Sequence, residues 1–163
     1  MKKVYIIRHA KSSWHDENLD DFDRPLNKRG FKDAPFMGQL LRDKGVIPDL
    51  ILSSPALRAK TTAELIANEM EEKVLLKYDK EIYEADAGTL LHILKHIDEK
   101  KQTVFLIGHN PGLNMLVEYL SGFNENIPTC GIIELELTCK KFREISPECI
   151  KLLSFEFPKK YRA

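Results

Sequence analysis

The stretch KVYIIR, residues 3–8, decides the fold of this chain. Its four central residues are all apolar, and a continuous apolar run is typical of a strand that is covered on both faces. Such strands lie inside mostly parallel sheets with helices packed on either side. The stretch therefore predicts an α/β protein whose first strand is central. That strand ends in Arg8, directly before His9.

Segments with strand and helix patterns alternate along the rest of the chain. Further strands are predicted at 48–54, 73–78, 103–109, 131–137 and 149–157. Helices are predicted at 28–44, from Ser54 to about Met70, at 87–97 and from Pro111 to Leu120. This alternation indicates an α/β sandwich with a mostly parallel sheet.

Three local signals refine the helix boundaries. Pro35 is expected to kink the first helix or to delay its start, because proline removes a backbone donor. Ser54 is expected to cap the second helix, with Pro55 in its first turn. Gly122 is a natural end for the fourth helix.

The overall composition limits the classes of function. The 163 residues fit one domain, 1–163, and the 25 basic and 25 acidic residues cancel. Neutral charge argues against a general nucleic-acid or membrane-surface binder. No apolar run could span a bilayer or serve as a signal peptide. Three cysteines without a CxxC pair are interpreted as reduced thiols, which predicts a cytoplasmic protein.

Polar residues follow three of the predicted strands where each one ends. Arg8 and His9 follow the first strand, Arg58 lies on the first turn after the second, and His109 follows the strand at 103–109. Ligands of α/β sheets bind outside the carboxyl ends of the strands, so these side chains are expected to converge on one pocket. Paired arginines, imidazoles and helix N-termini would favour a phosphoryl group.

The same residues suggest covalent chemistry. A neutral imidazole is a competent nucleophile toward phosphorus, so His9 could accept the phosphoryl group while Arg8, Arg58 and His109 hold its oxygens. This scheme requires no metal and no cofactor. Each residue taken alone also has an ordinary structural interpretation, as a strand-end charge, a core histidine or a solvated helix charge.

Four sequence blocks between residues 8 and 122 resemble the histidine phosphatase superfamily, formerly named for phosphoglycerate mutase. They are RHAKSSW, DRPLNKRG, SSPALRAKTTAE and GHNPGLNMLVEYLSG. The short chain is most similar to SixA-type phosphohistidine phosphatases. The resemblance implies a three-layer α/β/α fold with His9 as phosphoryl acceptor and Arg8, Arg58 and His109 around the phosphate. Asn110, in the same block as His109, is included in the predicted substrate-binding set.

Several positions leave alternatives open. Ala10 stands where the superfamily usually has glycine, a small change provided that its backbone φ is negative. His15 either contacts phosphate or belongs to a solvated loop. Glu84, four residues before Gly88, is the candidate general acid, with Asp86 as the second choice and a solvated helix-start acid as the alternative for Glu84.

The sequence thus predicts a metal-independent phosphatase that forms a phosphohistidine intermediate and acts on phosphohistidine in a protein. One alternative is a phosphomonoesterase for a small phosphorylated metabolite. Another is a module that binds phosphate or a phosphoprotein without turnover. Because His9 must be unprotonated to attack, the rate is expected to fall on the acid side and not to be flat from pH 5 to 8.

Overall fold

A computed structural model describes residues 1–162. The strands are β1 (Lys3–Arg8), β2 (Leu50–Ser53), β3 (Leu76–Tyr78), β4 (Thr103–Gly108), β5 (Ile132–Leu137) and β6 (Ile150–Glu156). The longer helices are α1 (Lys28–Asp43), α2 (Leu57–Asn68), α3 (Ala87–Lys95) and α4 (Gly112–Ser121). Short 3₁₀ turns lie between them.

The six strands form one sheet in the order β3-β2-β4-β1-β5-β6. Strands β3, β2, β4 and β1 pair in parallel, whereas β5 is antiparallel to both of its neighbours. The central position of β1 confirms the prediction from its continuous apolar run. Its four apolar residues are all buried.

Hydrophobic clusters cover both faces of the sheet. Val4 and Ile6 of β1 pack with the buried faces of α3 and α4. Tyr5 and Ile7 point the other way and pack with α1 and α2. This alternation along one strand confirms the three-layer α/β/α fold, since each face is buried by its own pair of helices.

The first helix starts where it was predicted, whereas the start of the second helix differs from the prediction. The first helix begins at Lys28 and runs through Pro35, so the alternative of a delayed start is wrong; Asn27 caps it by accepting a hydrogen bond from the Gly30 amide at 2.9 Å. The second begins at Leu57, not at Ser54. Ser54 directly follows β2 and stays outside the helix, because it precedes a proline and its amide donates to the Ile107 carbonyl at 3.0 Å.

Other boundaries are close to the predictions. Strand β3 is shorter than the predicted 73–78, because only three of its residues pair with the four-residue strand β2. Helix α4 ends at Gly122, whose φ of 79° is the left-handed conformation that favours glycine. The three cysteines are free thiols. Within residues 1–162, no helix is both long enough and apolar enough to cross a membrane.

The parallel strands bring the predicted polar residues to one edge of the sheet. Arg8 pairs in register with Gly108, and Ser53 pairs with Ile107. The residues that follow these strands, including His9, Ser54 and His109, therefore leave the sheet side by side. The candidate site is built at this edge.

Candidate active site

His9 is held in one tautomer by the backbone beside it. Its side chain is buried, and its Nδ1 lies 2.7 Å from the Ala10 carbonyl oxygen. A carbonyl oxygen can only accept a hydrogen bond, so Nδ1 carries the proton. The lone pair of the neutral ring is therefore on Nε2. This is the electronic form that a nucleophilic imidazole needs.

The surroundings of His9 also keep its ring neutral. Burial lowers its pKa to about 3, and the positive charges of Arg58 and Arg8 act in the same direction. Low-dielectric surroundings disfavour the charged imidazolium, and the neighbouring guanidinium groups repel it. This low pKa moves the expected decrease of the rate to below pH 5 in the free protein, so a flat rate from pH 5 to 8 becomes the expectation.

His109 faces His9, with ring centroids 5.1 Å apart. Its Nε2 lies 2.8 Å from the Ser54 hydroxyl oxygen. That oxygen accepts a hydrogen bond from the Ala56 amide at 3.2 Å. Burial and the charge of Arg58 lower the pKa of His109 to about 4. Both histidines are therefore neutral near pH 7.

Three buried nitrogens of this cluster have no hydrogen-bond partner within residues 1–162. They are Arg8 Nε, Arg58 Nε and His109 Nδ1. Buried polar groups are normally hydrogen-bonded, and leaving one without a partner costs about 1–3 kcal/mol. All three belong to side chains that line the cleft at His9, where a bound oxyanion would accept from the two guanidinium N–H groups.

The two arginines are anchored at their other atoms. Arg8 donates through Nη1 to the Ile127 carbonyl at 3.0 Å. Arg58 donates to Asp21 twice, to its backbone oxygen at 2.6 Å and to its carboxylate at 2.9 Å. Each guanidinium is thus fixed on one side by the protein, while its unpaired Nε remains for another acceptor.

Asp21 connects three parts of the site. Besides Arg58, its carboxylate accepts from Tyr83 Oη at 2.6 Å and from Arg24 Nε at 3.1 Å. These hydrogen bonds hold the pKa of Asp21 well below its usual range, and the bond from Tyr83 has the largest effect. The same contact, together with burial, raises the pKa of Tyr83 to about 12. Asp21 is therefore a permanent anion that orients Arg58.

Thr62 fixes the backbone next to the reactive ring. Its hydroxyl accepts from the Ala10 amide at 2.9 Å and donates to the Arg58 carbonyl at 2.7 Å. Within residues 1–162, Glu84 and Cys130 are the non-glycine residues with positive φ, so Ala10 meets the condition set for its methyl group. The Ala10 carbonyl that orients His9 is thereby tied to α2.

Asn110 lines the site, but its side chain already makes two protein contacts. Its Nδ2 donates to the Ile127 carbonyl at 3.0 Å, and its Oδ1 accepts from the Asn114 amide at 3.0 Å. The Ile127 carbonyl is the group that also anchors Arg8. The geometry shows Asn110 supporting this wall, and direct binding of substrate by Asn110 stays a prediction.

His9 opens onto a cleft of about 480 Å³, which we call the His9 cleft. It is lined by Arg8, His9, Lys11, Ser12, Trp14, Arg24, Arg58, His109, Asn110, Asn126, Pro128 and Thr129. Trp14 is 74% exposed, and its ring packs 3.5 Å from the Arg24 guanidinium carbon. The reactive face of the site is therefore accessible from solvent.

Glu84 lines a second cleft, which shares Arg58 and His109 with the first. Its φ of 55° is unusual for a residue with a side chain, and such strain is common at functional sites. Gly112 allows this placement, because a Cβ there would lie 2.2 Å from the Ala85 carbonyl oxygen. Glu84 thus lies beside Arg58 and His109, not within the His9 cleft.

Asp86 and His15 both lie outside the His9 cleft. Asp86 caps α3 by accepting from the Thr89 amide at 2.8 Å, and this bond lowers its pKa. A carboxylate held ionised is a poor general acid, which disfavours Asp86, although it lines the same cleft as Glu84. His15 is exposed and absent from the lining of both clefts. Its position agrees with the solvated-loop alternative.

Sequence reasoning missed the residues that position the others. Asp21 precedes the block DRPLNKRG, and Arg24 lies within it, but no role is predicted for either residue from the sequence. Ser54 was assigned to a helix cap. Tyr83 and Thr62 carried no signal of their own, because their roles depend on neighbours that are distant in sequence.

Residues 4–106 match the sequence profile of the histidine phosphatase superfamily, branch 1. A crystal structure assigned as the phosphohistidine phosphatase SixA from Agrobacterium tumefaciens has a TM-score of 0.84 to this chain. It is 30% identical and covers 96% of this chain and 98% of its own. The large shared coverage shows that the whole described fold, and not one motif, is similar.

Two relatives without an assigned function are also similar. A chloroplastic protein of Arabidopsis thaliana is 34% identical over 144 residues, which are 83% of this chain and 66% of the relative. A Mycobacterium tuberculosis protein is 29% identical over 164 residues, covering 94% of this chain and 100% of the relative. The chain thus spans slightly under two thirds of the plant protein.

Proposed function

The chain belongs to the histidine phosphatase superfamily and has a SixA-type structure, and we propose that it dephosphorylates phosphohistidine in a protein. In this proposal His9 accepts the phosphoryl group and water then releases it as inorganic phosphate. Arg8, Arg58 and His109 bind the phosphoryl oxygens. The relatives differ in function, so the substrate is argued from the site.

The hydrogen bond between His9 Nδ1 and the Ala10 carbonyl carries this proposal. It leaves the Nε2 lone pair directed away from the bonded side, in a ring that burial keeps neutral. Nε2 forms a bond to phosphorus while the bond from phosphorus to the leaving nitrogen breaks. The leaving imidazole takes a proton from solvent. Water then attacks phosphorus, returns His9 Nε2 with its lone pair and releases phosphate.

In this proposal the two guanidinium groups and the neutral His109 ring supply the electrostatic part of the rate. The unpartnered Arg8 Nε, Arg58 Nε and His109 Nδ1 are already fixed before substrate arrives. Preorganised donors stabilise charge on the equatorial oxygens without reorganising, and losing one such donor typically costs about 10²- to 10³-fold in rate. This arrangement supports transfer of a phosphoryl group and not mere storage of an anion.

An accessible site supports a protein-borne substrate. The His9 cleft is bordered by the exposed Trp14 and by Lys11, both at the surface. A phosphorylated side chain on a partner could reach His9 without the partner entering the fold. Phosphohistidine also suits a site whose candidate acid lies outside the His9 cleft, because its leaving imidazole is readily protonated.

Trapping the intermediate tests the proposal. The protein is mixed with phosphoramidate, quenched and analysed by mass spectrometry with localisation of the modified residue. We expect one phosphoryl group on His9, and His9→Ala should lose both the modification and turnover. His92→Ala, which removes an exposed histidine on α3, is the matched control. Turnover that survives in His9→Ala would overturn the mechanism, and phosphate binding without turnover would favour a binding module.

A small phosphoester is the second candidate substrate, because Glu84 lines a cleft that shares Arg58 and His109 with the His9 cleft. Alkoxide is a poor leaving group, so an ester needs a proton donor. Glu84 could supply the proton from this adjoining cleft. The strained backbone of Glu84 is the specific observation that favours this candidate.

Glu84→Gln separates the two substrate classes. Its kcat for a phosphomonoester should fall by about 10²-fold if Glu84 is the acid, while phosphoramidate hydrolysis changes little. Glu81→Gln, at an exposed position in the preceding 3₁₀ turn, is the matched control. Equal effects of Glu84→Gln on both substrates would remove the general-acid role.

A further inference from the structure

A third cleft continues from the His9 cleft along the surface. It has a volume of about 290 Å³ and shares Lys11, Pro128 and Thr129 with the His9 cleft. Its remaining lining residues are Arg29, Asp33, Phe157, Pro158, Lys159 and Arg162. We call it the basic cleft. A ligand in the His9 cleft could therefore extend past these shared residues into the basic cleft.

The charge of the basic cleft is strongly one-sided. Four of its residues are cationic, and Asp33 is its single carboxylate. Asp33 is buried and already pairs with Arg162 at 2.6 Å. Lys11, Arg29 and Lys159 are exposed and form no ion pair within residues 1–162. They can therefore bind an external anion without losing an existing contact.

Exposed acidic residues lie outside the basic cleft. Asp16, Glu17 and Asp20 are exposed on the segment before the first helix, and Glu84 and Asp86 line the second cleft. Because the whole chain has zero formal charge, the basic cleft is a local feature and not the result of a basic protein. A partner would be oriented by this contrast, with its acidic part toward the basic cleft.

The walls indicate a polypeptide as occupant. Pro128, Phe157 and Pro158 add apolar surface between the cationic side chains. Mixed apolar and cationic walls fit a peptide segment with acidic side chains, whereas a small inorganic anion would use only the charges. An extended chain advances about 3.3–3.6 Å per residue, so a few residues next to a phosphorylated side chain would reach from one cleft into the other.

We propose that the basic cleft binds acidic residues that flank the phosphorylated residue of a polypeptide substrate. This inference rests on the proposed function, because the acidic residues are those that flank the phosphohistidine of the proposed substrate. Arg29, Lys159 and Lys11 contribute the charge, and Phe157 contributes apolar contact. The basic cleft thereby provides selectivity among phosphorylated proteins that the phosphoryl group itself cannot provide.

Binding of unphosphorylated peptides tests the basic cleft without any turnover. Two labelled peptides of equal length, one with a run of Glu and one with Gln at the same positions, are titrated by fluorescence anisotropy. We expect the Glu peptide to bind at least tenfold more tightly, with the difference shrinking as salt is raised. Equal affinities for the two peptides would overturn the proposal.

Reversing two charges of the basic cleft tests whether this cleft causes the preference for the Glu peptide. The double variant Arg29→Glu/Lys159→Glu should abolish the preference for the Glu peptide. Glu at position 29 lies in the first turn of α1, where a carboxylate is favourable, so the fold should be retained. The matched control is Lys100→Glu/Lys151→Glu, which makes the same change of net charge at exposed positions near the other end of the sheet. An equal loss in the control would show a general charge effect and overturn the proposal.

Kinetics separate this inference from the proposed function. The same two sequences, each with one phosphohistidine, are compared by kcat/KM with wild type and the double variant. We expect a preference of at least tenfold for the acidic peptide, expressed in KM, and its loss in Arg29→Glu/Lys159→Glu. A preference seen in binding with no hydrolysis of either peptide would overturn the proposed function alone. Hydrolysis of both at equal kcat/KM would overturn the basic-cleft proposal alone.

Discussion

His109 Nε2 and Ser54 Oγ lie 2.8 Å apart, and this contact bears on which nitrogen of His109 holds its proton. The Ser54 oxygen accepts from the Ala56 amide, so its own hydrogen is available for Nε2. If Nε2 accepts that hydrogen, the proton of the neutral ring is on Nδ1, which has no partner within residues 1–162. His109 is then a donor toward a phosphoryl oxygen.

Ser54→Ala should therefore weaken catalysis through His109. Without the hydroxyl, the ring can carry its proton on Nε2 and present a lone pair to the phosphoryl group. We expect kcat for phosphoramidate to fall by about tenfold to a hundredfold. Steady-state kinetics measure the loss, and ¹⁵N NMR of the imidazoles reports the tautomer.

Ser53→Ala is the matched control for Ser54→Ala. Ser53 is equally buried, but its hydroxyl donates to the backbone oxygens of Ser54 and Ala59. It should cost stability without shifting the His109 resonances. An unchanged tautomer in Ser54→Ala would contradict the role assigned to Ser54, even if the rate falls.

The rate should be insensitive to pH through the neutral range. The pKa of His9 is about 3 in the free protein, so its reactive neutral form dominates from pH 5 to 8. As the pH falls toward 3, His9 protonates and loses its nucleophilic lone pair, so kcat/KM should decrease. Profiles with phosphoramidate, corrected for acid hydrolysis with His9→Ala, check this. A decrease centred near pH 6.5 would mean that His9 is not desolvated as the structure describes.

Stability should decrease as the pH is lowered from 7 to 5. His9 and His109 have folded pKa values of about 3 and 4, whereas an unfolded histidine titrates near 6.5. In this window the unfolded chain binds more protons, so protonation favours unfolding. Each imidazole should remove about 2 kcal/mol of the free energy of unfolding between pH 7 and 5.

Urea unfolding at the two pH values measures this effect. His109→Gln should reduce the pH dependence by the contribution of one buried imidazole. His92→Gln removes an exposed histidine and serves as the control for loss of a ring. If His109→Gln leaves the pH dependence unchanged, the folded pKa of His109 is not depressed.

Thr62→Val should weaken the backbone that positions His9 without changing the imidazole itself. The change keeps the shape of the side chain but removes its bonds to the Ala10 amide and the Arg58 carbonyl. Leaving the buried Ala10 amide unpaired should cost about 1–3 kcal/mol of stability. We also expect kcat to fall, because the Ala10 carbonyl orients His9.

Thr61→Val is the matched control for Thr62→Val, since Thr61 is the adjacent residue of α2 and is only half-buried. It should change the midpoint of thermal unfolding and kcat much less than Thr62→Val does. Similar effects of the two substitutions would show that the result reflects valine in the helix and not the lost contact.

Much of the fold follows from local sequence patterns. The continuous apolar run of β1, the alternating run of β5 and the left-handed Gly122 each predict structure from a few neighbouring residues. The start of α2 was misplaced because Ser54 satisfies two local rules at once, as a cap before proline and as the end of a strand. Pairing with Ile107 in β4 resolves that choice, and such pairing is not encoded locally.

The candidate site divides in the same way. The sequence by itself determined that Arg8, His9, Arg58 and His109 lie at one edge of the sheet, because they follow elements whose direction the sheet fixes. Only the tertiary structure decided the tautomer of His9, the contact between Ser54 and His109, and the ion pair between Asp21 and Arg58. Hydrogen bonds and burial depend on atoms brought together by folding, so the pKa values and tautomers they set cannot be obtained from residue types alone.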